Sequence, residues 1–427
     1  MFLYMSAFMI TSVVEEAFFV DKACRVNLGF PKNVCDNIAA EENKMYKQQV
    51  QVEVSTFHQY ENIASQAVPV VLAFFLGAWS DRVGRKIPLL LGLAGNFIYS
   101  FMIVVNALQD SWPLETVLWS ACLPCALTGG NLTVFMAAFS YLADTTSEQQ
   151  RTMRTTLLEV AYLLPMPIGV ALGSYLFGVL DRSFAAMFTI NAALLLASMA
   201  YTAVFVKLKT SGDHARWGGG GCRLRSLFEV GHVVESVKSL LRPRSDNRRM
   251  YLLLTLTAMS LYTFQRDEKH MMYLYAQLKF HWDVPTYSKF RTYQSSLYVV
   301  GLVVGVPVVL RVLRMRDTTT AMLGAASHTV ARFIFAFGRQ PWLLYLGGGF
   351  GLLGPVVAPV LRSVTSKLVP SSERGKVFAL FTVADTTVPL VSGIIYTQVY
   401  NHTITSLPQA FFFVTAASQI LVFIIAL

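Results

Sequence analysis

The chain has 427 residues, of which 54% are hydrophobic and only 14% are charged, and its formal net charge is +10. A soluble domain of this composition would leave too much apolar surface uncovered, so the composition excludes a soluble globular protein and indicates a polytopic α-helical membrane protein. Because many of the basic residues lie in short connections between apolar stretches, the positive charge indicates membrane topology and not a nucleic-acid partner.

Apolar stretches of membrane-spanning length follow one another along the whole chain. The twelve predicted spans are 1–20, 58–79, 87–107, 115–142, 154–180, 184–206, 250–275, 292–312, 318–338, 341–362, 376–399 and 408–427. The connection after every second span is basic, so we expect these connections and both termini to be cytoplasmic. The predicted fold is an all-α membrane protein with two six-helix bundles, 1–206 and 250–427, joined by a basic cytoplasmic linker, 207–249.

A short connection between the second and third spans carries glycine, aspartate and arginine in a specific order. Gly77 and Gly84 permit a tight turn, Asp81 can face the N-terminal end of a neighbouring helix, and Arg85 holds the loop on the cytoplasmic side. A basic loop that only marks topology would explain the charge but not the order of residues. We therefore predict a gating loop here.

Two features of the predicted outer side concern covalent modification. Cys24 and Cys35 share the first outer loop, 21–57, which faces an oxidising compartment if the protein lies at the cell surface, so we expect a local disulfide between them. Asn401 begins an Asn-His-Thr sequon in another outer loop and is the predicted glycosylation acceptor.

Span seven contains five consecutive ionisable residues that no lipid-facing helix could carry. In one interpretation the run is an unwound segment that lines a central cavity. Arg266, Lys269 or His270 would then contact an anionic substrate, while Asp267 or Glu268 would bind a proton or pair with the cations. In the other interpretation the run is a self-neutralised cluster at the outer water boundary. The sequence leaves both open.

Two further ionisable residues lie where lipid would otherwise surround them. Asp385 is near the middle of span eleven, where burial disfavours the charged carboxylate, so we expect it to bind a proton near neutral pH. A structural, hydrogen-bonded aspartate is the alternative. Arg362 in span ten either snorkels to the cytoplasm or faces the cavity as an anion clamp.

The signature 77–86 between spans two and three resembles that of the major facilitator superfamily. Within it, the chain resembles the proton-coupled folate transporter family. This second resemblance also rests on Leu142-Ala143-Asp144, Leu157-Leu158-Glu159, Trp282-Asp283, Leu361-Arg362, Ser366-Lys367-Leu368-Val369 and Gly375. The resemblance implies a symporter that imports an organic anion, such as a folate-like or cyclic-dinucleotide-like solute, by alternating access.

Residue roles also follow from this resemblance. Glu159 matches the family's proton-coupling glutamate, Arg362 its arginine in span ten, and Asp81 with Arg85 its gating loop. Two positions depart from the family, because its histidine of span seven falls at about Gln265 and its outer-loop cysteine at His281. These departures make folate itself less favoured than anion symport in general.

The expected partners are a small anionic substrate, protons and membrane lipid, in a monomer or weak oligomer at the plasma membrane or in endolysosomes. No cofactor beyond the proton gradient, no metal and no enzymatic activity are expected, since the sequence contains no nucleophile motif, phosphate-binding loop or metal-ligand spacing. One alternative is a proton-linked exporter of cationic or amphipathic compounds that uses Asp385 with Glu15 or Glu16. Another is a non-transporting nutrient sensor that signals through 207–249.

Overall fold

A computed structural model describes residues 1–146, 154, 157, 158, 160–207, 247–369 and 374–427. Every regular element in this part of the chain is helical. The predicted linker lies almost wholly outside the described residues, and so does Glu159.

The helices of the first half follow the predicted spans, with several interruptions. They are α1 Phe2–Thr11, α2 Val14–Lys22, α3 Lys32–Asp36, α4 Lys44–Val83, α5 Lys86–Leu108, α6 Leu123–Leu127, α7 Gly130–Asp144, α8 Pro165–Val179 and α9 Phe184–Phe205. Short π-helical turns at Ala23–Asn27 and Leu118–Cys122 and a 3₁₀ turn at Glu41–Asn43 join some of them.

In the second half, 3₁₀ segments interrupt the α-helices at two points. Its helices are α10 Arg248–Thr263, α11 Glu268–Phe280, α12 Val284–Val300, α13 Asp317–Phe337, α14 Pro341–Phe350, α15 Val357–Leu368, α16 Arg374–Thr403 and α17 Ala410–Ala426. The 3₁₀ segments are Phe264–Asp267 and Gly351–Val356, and π-helical turns occur at Gly301–Gly305 and Val308–Val312.

Six stretches among the described residues are long and apolar enough to cross a membrane. They are Phe2–Asn27, Lys86–Leu108, Leu118–Leu142, Val160–Val179, Phe184–Phe205 and Pro341–Leu368. The all-α membrane architecture is therefore confirmed, while the number twelve stays a prediction.

The chain divides into two compact units. One comprises Met1–Lys22 and Ile63–Val234, and the other comprises Ala23–Asn62 and Glu235–Leu427. Each unit has its own apolar core: Leu93, Val134 and Leu195 are buried in the first, and Met259, Ala325 and Val357 in the second. The predicted bundle limits, 1–206 and 250–427, stay a prediction.

Helix α4 begins well before its predicted span. We expected an outer loop as far as residue 57, but the helix starts at Lys44 and continues for 40 residues. Such a helix is about 60 Å long, twice the thickness of the hydrocarbon core, so its first turns extend beyond the membrane. Hydropathy missed these turns because their exposed and buried faces both carry polar residues.

Helices α1 and α8 approach each other closely at a glycine. A Cβ atom added at Gly173 would lie 1.9 Å from the carbonyl oxygen of Ile10, which is backbone and cannot rotate away. Gly178 lies one and a half turns further along α8, and an added Cβ atom there has no neighbour within 4 Å. The two glycines therefore form a matched pair for a packing test.

We predict that Gly173→Ala destabilises the protein by about 1–3 kcal/mol, because the extra methyl group overpacks a closed helix contact. Gly178→Ala should be neutral or slightly stabilising, since alanine is the better helix former. Thermal unfolding of the two purified variants in detergent measures the difference. Equal unfolding midpoints would contradict the close approach of α1 and α8.

Candidate functional site

The ionisable run of span seven lies at a break in the helix. Helix α10 ends at Thr263, the 3₁₀ segment contains Arg266 and Asp267, and α11 begins at Glu268. The run therefore lies where the α-helix changes to a 3₁₀ helix and back, and this segment is still helical. At this break successive charged side chains contact different neighbours.

Asp385 of α16 is contacted by three side chains from three other elements, namely α10, the 3₁₀ segment and α15. Thr263 Oγ1 donates to its Oδ1 at 2.6 Å, and Arg362 Nη2 donates to its Oδ2 at 3.0 Å. Arg266 Nη2 lies 3.6 Å from the same oxygen. We call the group of Arg266, Arg362 and Asp385 the arginine clasp. Two guanidinium groups thus face the Asp385 carboxylate, a pairing that the sequence analysis did not predict.

The arginine clasp carries one more positive than negative charge. The side chain of Asp385 is 10% exposed, whereas those of Arg266 and Arg362 are 54% and 49% exposed. A solute can therefore reach the guanidinium groups from outside the contact while the carboxylate stays covered. Planar guanidinium groups pair with carboxylate or phosphate oxygens through two parallel hydrogen bonds. This chemistry suits an anion better than a cation.

The two acidic residues beside Arg266 are buried and already paired. Asp267 accepts hydrogen bonds from Ser392 and, at 3.2 Å, from Asn62 Nδ2. Glu268 accepts from Arg332 Nε at 3.0 Å, and both side chains of this pair are less than a tenth exposed. In one interpretation of the sequence, either acid binds a proton or pairs with the cations of the run. The structure places both in buried contacts that hold α11 against its neighbours.

Lys269 and His270 occupy the first turn of α11, where both are half-buried. The His270 ring lies 4.3 Å from the ring of His58, measured between centroids. His58 Nδ1 is in turn 2.8 Å from Glu61 Oε2. The cations of the run therefore do not converge on one site. Arg266 belongs to the arginine clasp, whereas His270 packs against His58.

A polar face of α4 contacts α11 and α16, and the sequence analysis did not anticipate it. Gln51 Nε2 donates to the carbonyl of Leu274 at 2.8 Å, and its Oε1 accepts from the hydroxyl of Tyr400 at 3.0 Å. Ser55 donates to Asn401, and the Ser55 carbonyl accepts from Thr397 Oγ1 at 3.1 Å.

The same face continues in both directions along α4. Lys47 Nζ lies 3.1 Å from His281 Nδ1 at one end, and Asn62 bonds Asp267 at the other. We call the face of Lys47, Gln51, Ser55 and Asn62, with its partners, the polar seam. Lys47, Gln51 and Ser55 recur every four residues, a helical spacing that could have revealed the seam.

The predicted gating loop contains an ion pair. Gly84 has φ +94°, a left-handed conformation that favours glycine. Arg85 Nε donates to Asp144 Oδ2 at 2.8 Å, so the loop is tied to the end of α7. Gly77 and Asp81 lie within α4, and their side chains are outside the described part.

Two predicted covalent features have different outcomes. Cys24 and Cys35 are joined in a disulfide, which links the π-helical turn after α2 to α3. Asn401 lies in the last turns of α16, where its amide accepts from Ser55 and donates to Thr56 Oγ1 at 3.1 Å. Because the amide nitrogen is engaged within a helix, the geometry does not favour the predicted glycosylation.

We predict that Glu268→Gln destabilises the protein by about 3–5 kcal/mol, because it leaves Arg332 as a buried, unpaired cation. Lys367→Gln is the control, since Lys367 pairs with Asp317 but is 66% exposed and should change stability by less than about 1 kcal/mol. Thermal unfolding in detergent compares the two. A Glu268→Gln variant as stable as the control would show that the pair has no structural role.

The helical fold and its apolar spans define a multi-pass membrane protein. A family model of the Major Facilitator Superfamily matches residues 56–393. Among solved structures, that of the human organic anion transporter MFSD10 (TETRAN) is similar with a TM-score of 0.66 and 15% identity, covering 100% of this chain and 97% of that one. This likeness confirms the fold.

Relatives of known name narrow the family. The rat (Rattus norvegicus) "Proton-coupled folate transporter" is 30% identical over 83% of this chain and 74% of its own length. The "Probable peptidoglycan muropeptide transporter SLC46" of Drosophila melanogaster is 26% identical over 95% of this chain and 79% of its own. The chain therefore belongs to the Major Facilitator Superfamily and, within it, to the SLC46 family of solute carriers. It is a multi-pass, proton-coupled solute transporter and not an enzyme.

Proposed function

We propose that this chain is a symporter that carries an organic anion together with protons. The observation that supports this most is the arginine clasp, in which two half-exposed guanidinium groups share one buried carboxylate. A substrate carboxylate or phosphate would bind by replacing Asp385 as the partner of the guanidinium groups.

Competition for the guanidinium groups gives a physical route to coupling. An ionised Asp385 attracts Arg266 and Arg362 and so weakens their hold on an anion. A protonated Asp385 loses most of that attraction and releases both guanidinium groups to the substrate. Proton and anion therefore stabilise each other's binding, which is the condition for symport.

The names of the relatives agree with an anionic substrate. Folates and muropeptides both bear carboxylate groups, and the two relatives transport them according to their names. The folate-like or cyclic-dinucleotide-like class remains part of the proposal. So do inward transport, the plasma membrane or endolysosomal location and the role of Glu159, which rests on resemblance alone.

An exporter of cations would need the opposite charge balance. The acids predicted for it are Asp385 and Glu15 or Glu16. Asp385 faces two arginines, and Glu15 accepts a hydrogen bond from Tyr99. The net charge of the arginine clasp would repel a cationic solute at close range. The charges near the helix break therefore support the anion symporter over this alternative.

We predict that Arg362→Gln and Arg266→Gln each weaken the apparent affinity for an anionic substrate by about tenfold or more, because each removes a charge-assisted hydrogen bond. The measurement is uptake of labelled folate, a labelled muropeptide and a labelled cyclic dinucleotide at about pH 5.5 and 7.4. A labelled quaternary ammonium ion tests the cationic alternative in the same cells.

Lys367→Gln is the matched control, since it removes an exposed cation of the same helix, α15, outside the arginine clasp. Acid-stimulated uptake of an anion that both arginine variants weaken and Lys367→Gln does not would support the proposal. Unchanged affinity in both arginine variants would refute the assigned site, and uptake of the cation alone would refute anion transport.

A further inference from the structure

Asp267 is a buried acid whose hydrogen-bond partners are neutral. Its Oδ1 accepts a hydrogen bond from Asn62 Nδ2 at 3.2 Å, and its Oδ2 is bonded to the hydroxyl of Ser392. The residue is only 5% exposed. Among the residues that the structure describes, no lysine, arginine or histidine forms an ion pair with this carboxyl group. Asp267 therefore lacks the cation that an ionised carboxylate needs in a buried place.

The two other buried acids at the helix break each face a cation. Glu268 pairs with Arg332 at 3.0 Å, and Asp385 shares the two guanidinium groups of the arginine clasp. Removing an ionised carboxylate from water without such a partner is so costly that the group usually takes up a proton instead. By this comparison, Asp267 is the acid of the three that should be neutral.

The hydrogen-bond partners of Asp267 suit a protonated carboxyl group. Ser392 Oγ contacts Asp267 Oδ2 and also lies 3.1 Å from the carbonyl oxygen of Val388. A hydroxyl group has one proton to donate and can accept as well. If Oδ2 carries a proton, it donates to Ser392, and Ser392 donates its own proton to Val388. An ionised carboxylate would instead compete with the Val388 carbonyl for that one hydroxyl proton.

Asn62 supplies a hydrogen bond to Asp267 in either charge state, and close packing holds it in place. A Cβ atom added at Gly393 would lie 2.6 Å from Asn62 Nδ2 and 3.4 Å from Asn62 Cβ. The side chain of Asn62 therefore lies directly against the backbone of α16, next to Ser392. Because this amide nitrogen donates to Oδ1, Oδ2 is the oxygen of Asp267 that can hold a proton.

The basic side chains near Asp267 have other partners. Arg266 and His270 are close enough to influence its charge. Arg266 Nη2, however, lies 3.6 Å from the carboxylate of the arginine clasp. The His270 ring packs against His58, whose Nδ1 is 2.8 Å from Glu61 Oε2. Neither basic side chain thus takes the place of a direct cationic partner for Asp267.

Two tyrosines are further ionisable groups near the 3₁₀ segment, and both are uncharged near neutral pH. Tyr396 of α16 bonds the hydroxyl of Thr415, and Tyr262 of α10 packs edge-on against His328, with 6.0 Å between the ring centroids. Helix α17, which packs against the same 3₁₀ segment, carries no ionisable side chain. These neighbours supply no positive charge to Asp267.

We propose that Asp267 holds a resident proton and stays neutral, whereas Asp385 gains and loses the proton that is coupled to transport. Asp267 is thus a positioning residue beside the arginine clasp and does not touch the substrate. An ionised Asp267 would put a second negative charge next to Arg266 and oppose the binding of an anion. A neutral Asp267 leaves the arginine clasp its excess positive charge. The effect on the anion rests on the proposed function, but the resident proton does not.

Infrared spectroscopy tests the resident proton without any substrate, because a protonated carboxyl group has a C=O stretch that an ionised carboxylate lacks. The purified protein in an ester-free detergent is measured in water and in deuterium oxide, at several values between about pH 5 and 8. Asp267→Asn is compared with the parent and with Glu42→Gln, which replaces an exposed acid of the same compact unit.

We predict a deuteration-sensitive carboxyl band in the parent across this range, which Asp267→Asn loses and Glu42→Gln retains. Asn62→Ala should move the band to higher frequency, because Oδ1 of Asp267 loses its hydrogen-bond donor. Asp385→Asn should retain the band, since the proton on Asp267 is separate from the one at the arginine clasp.

A second measurement compares the neutralisation of two adjacent acids. Asp267→Asn can make the same hydrogen bonds as a protonated carboxyl group, because its Oδ1 accepts from Asn62 and its Nδ2 donates to Ser392. Its thermal unfolding midpoint should equal or exceed that of the parent. Glu268→Gln should unfold at a lower temperature, because it breaks a buried ion pair.

Two spectroscopic results would overturn the resident proton: the absence of any carboxyl band that Asp267→Asn removes, or a band that vanishes already at neutral pH. An Asp267→Asn variant as unstable as Glu268→Gln would overturn it too, because the carboxylate would then serve as a charged partner. Both measurements are independent of transport. A chain that takes up no anion can still hold this proton, and a chain that transports an anion can lack it.

Discussion

The competition between a buried carboxylate and an external anion for two guanidinium groups is the interaction on which the proposed transport depends. Charged groups inside a membrane protein are costly unless they are paired. Asp385 satisfies that constraint by facing Arg266 and Arg362. In the proposed mechanism the same pairing makes the site respond to protons, because protonation of Asp385 would release both arginines to bind an anion.

The surrounding architecture supports this competition. Arg266 lies in the 3₁₀ break between α10 and α11, where its side chain can reach α16 while its neighbour Asp267 turns into a buried contact. The Glu268–Arg332 pair holds the beginning of α11 in place. The polar seam runs along α4 from Asn62, which bonds Asp267 beside Arg266, to Lys47, which contacts His281 just after the end of α11.

Local features of the site could be predicted from the sequence, but its pairings could not. Hydropathy located the six stretches that are long and apolar enough to cross a membrane, and the cost of burying charge singled out Arg266, Arg362 and Asp385 one by one. Their mutual contact depends on helix packing across 23 and 119 positions of the chain, which no local pattern encodes. For the same reason the sequence did not reveal that Glu268 pairs with Arg332 of another span.

The polar seam illustrates a different limit. Residues 44–57 are too polar for a membrane span, so hydropathy assigned them to a loop, although their four-residue spacing of Lys47, Gln51 and Ser55 fits a helix. His281 occupies the position of the family's outer-loop cysteine. The sequence alone shows only that this residue differs from the family, whereas the structure shows that it contacts Lys47.

The most direct test of the account is the pH dependence of transport in Asp385→Asn. Counterflow of labelled folate and of a labelled cyclic dinucleotide in proteoliposomes measures exchange without a proton gradient, and uptake driven by an imposed gradient measures coupling. The account predicts that Asp385→Asn retains counterflow but loses the response to the gradient, because both arginines are permanently released to the anion. Full gradient-driven uptake in this variant would contradict the proposed role of Asp385.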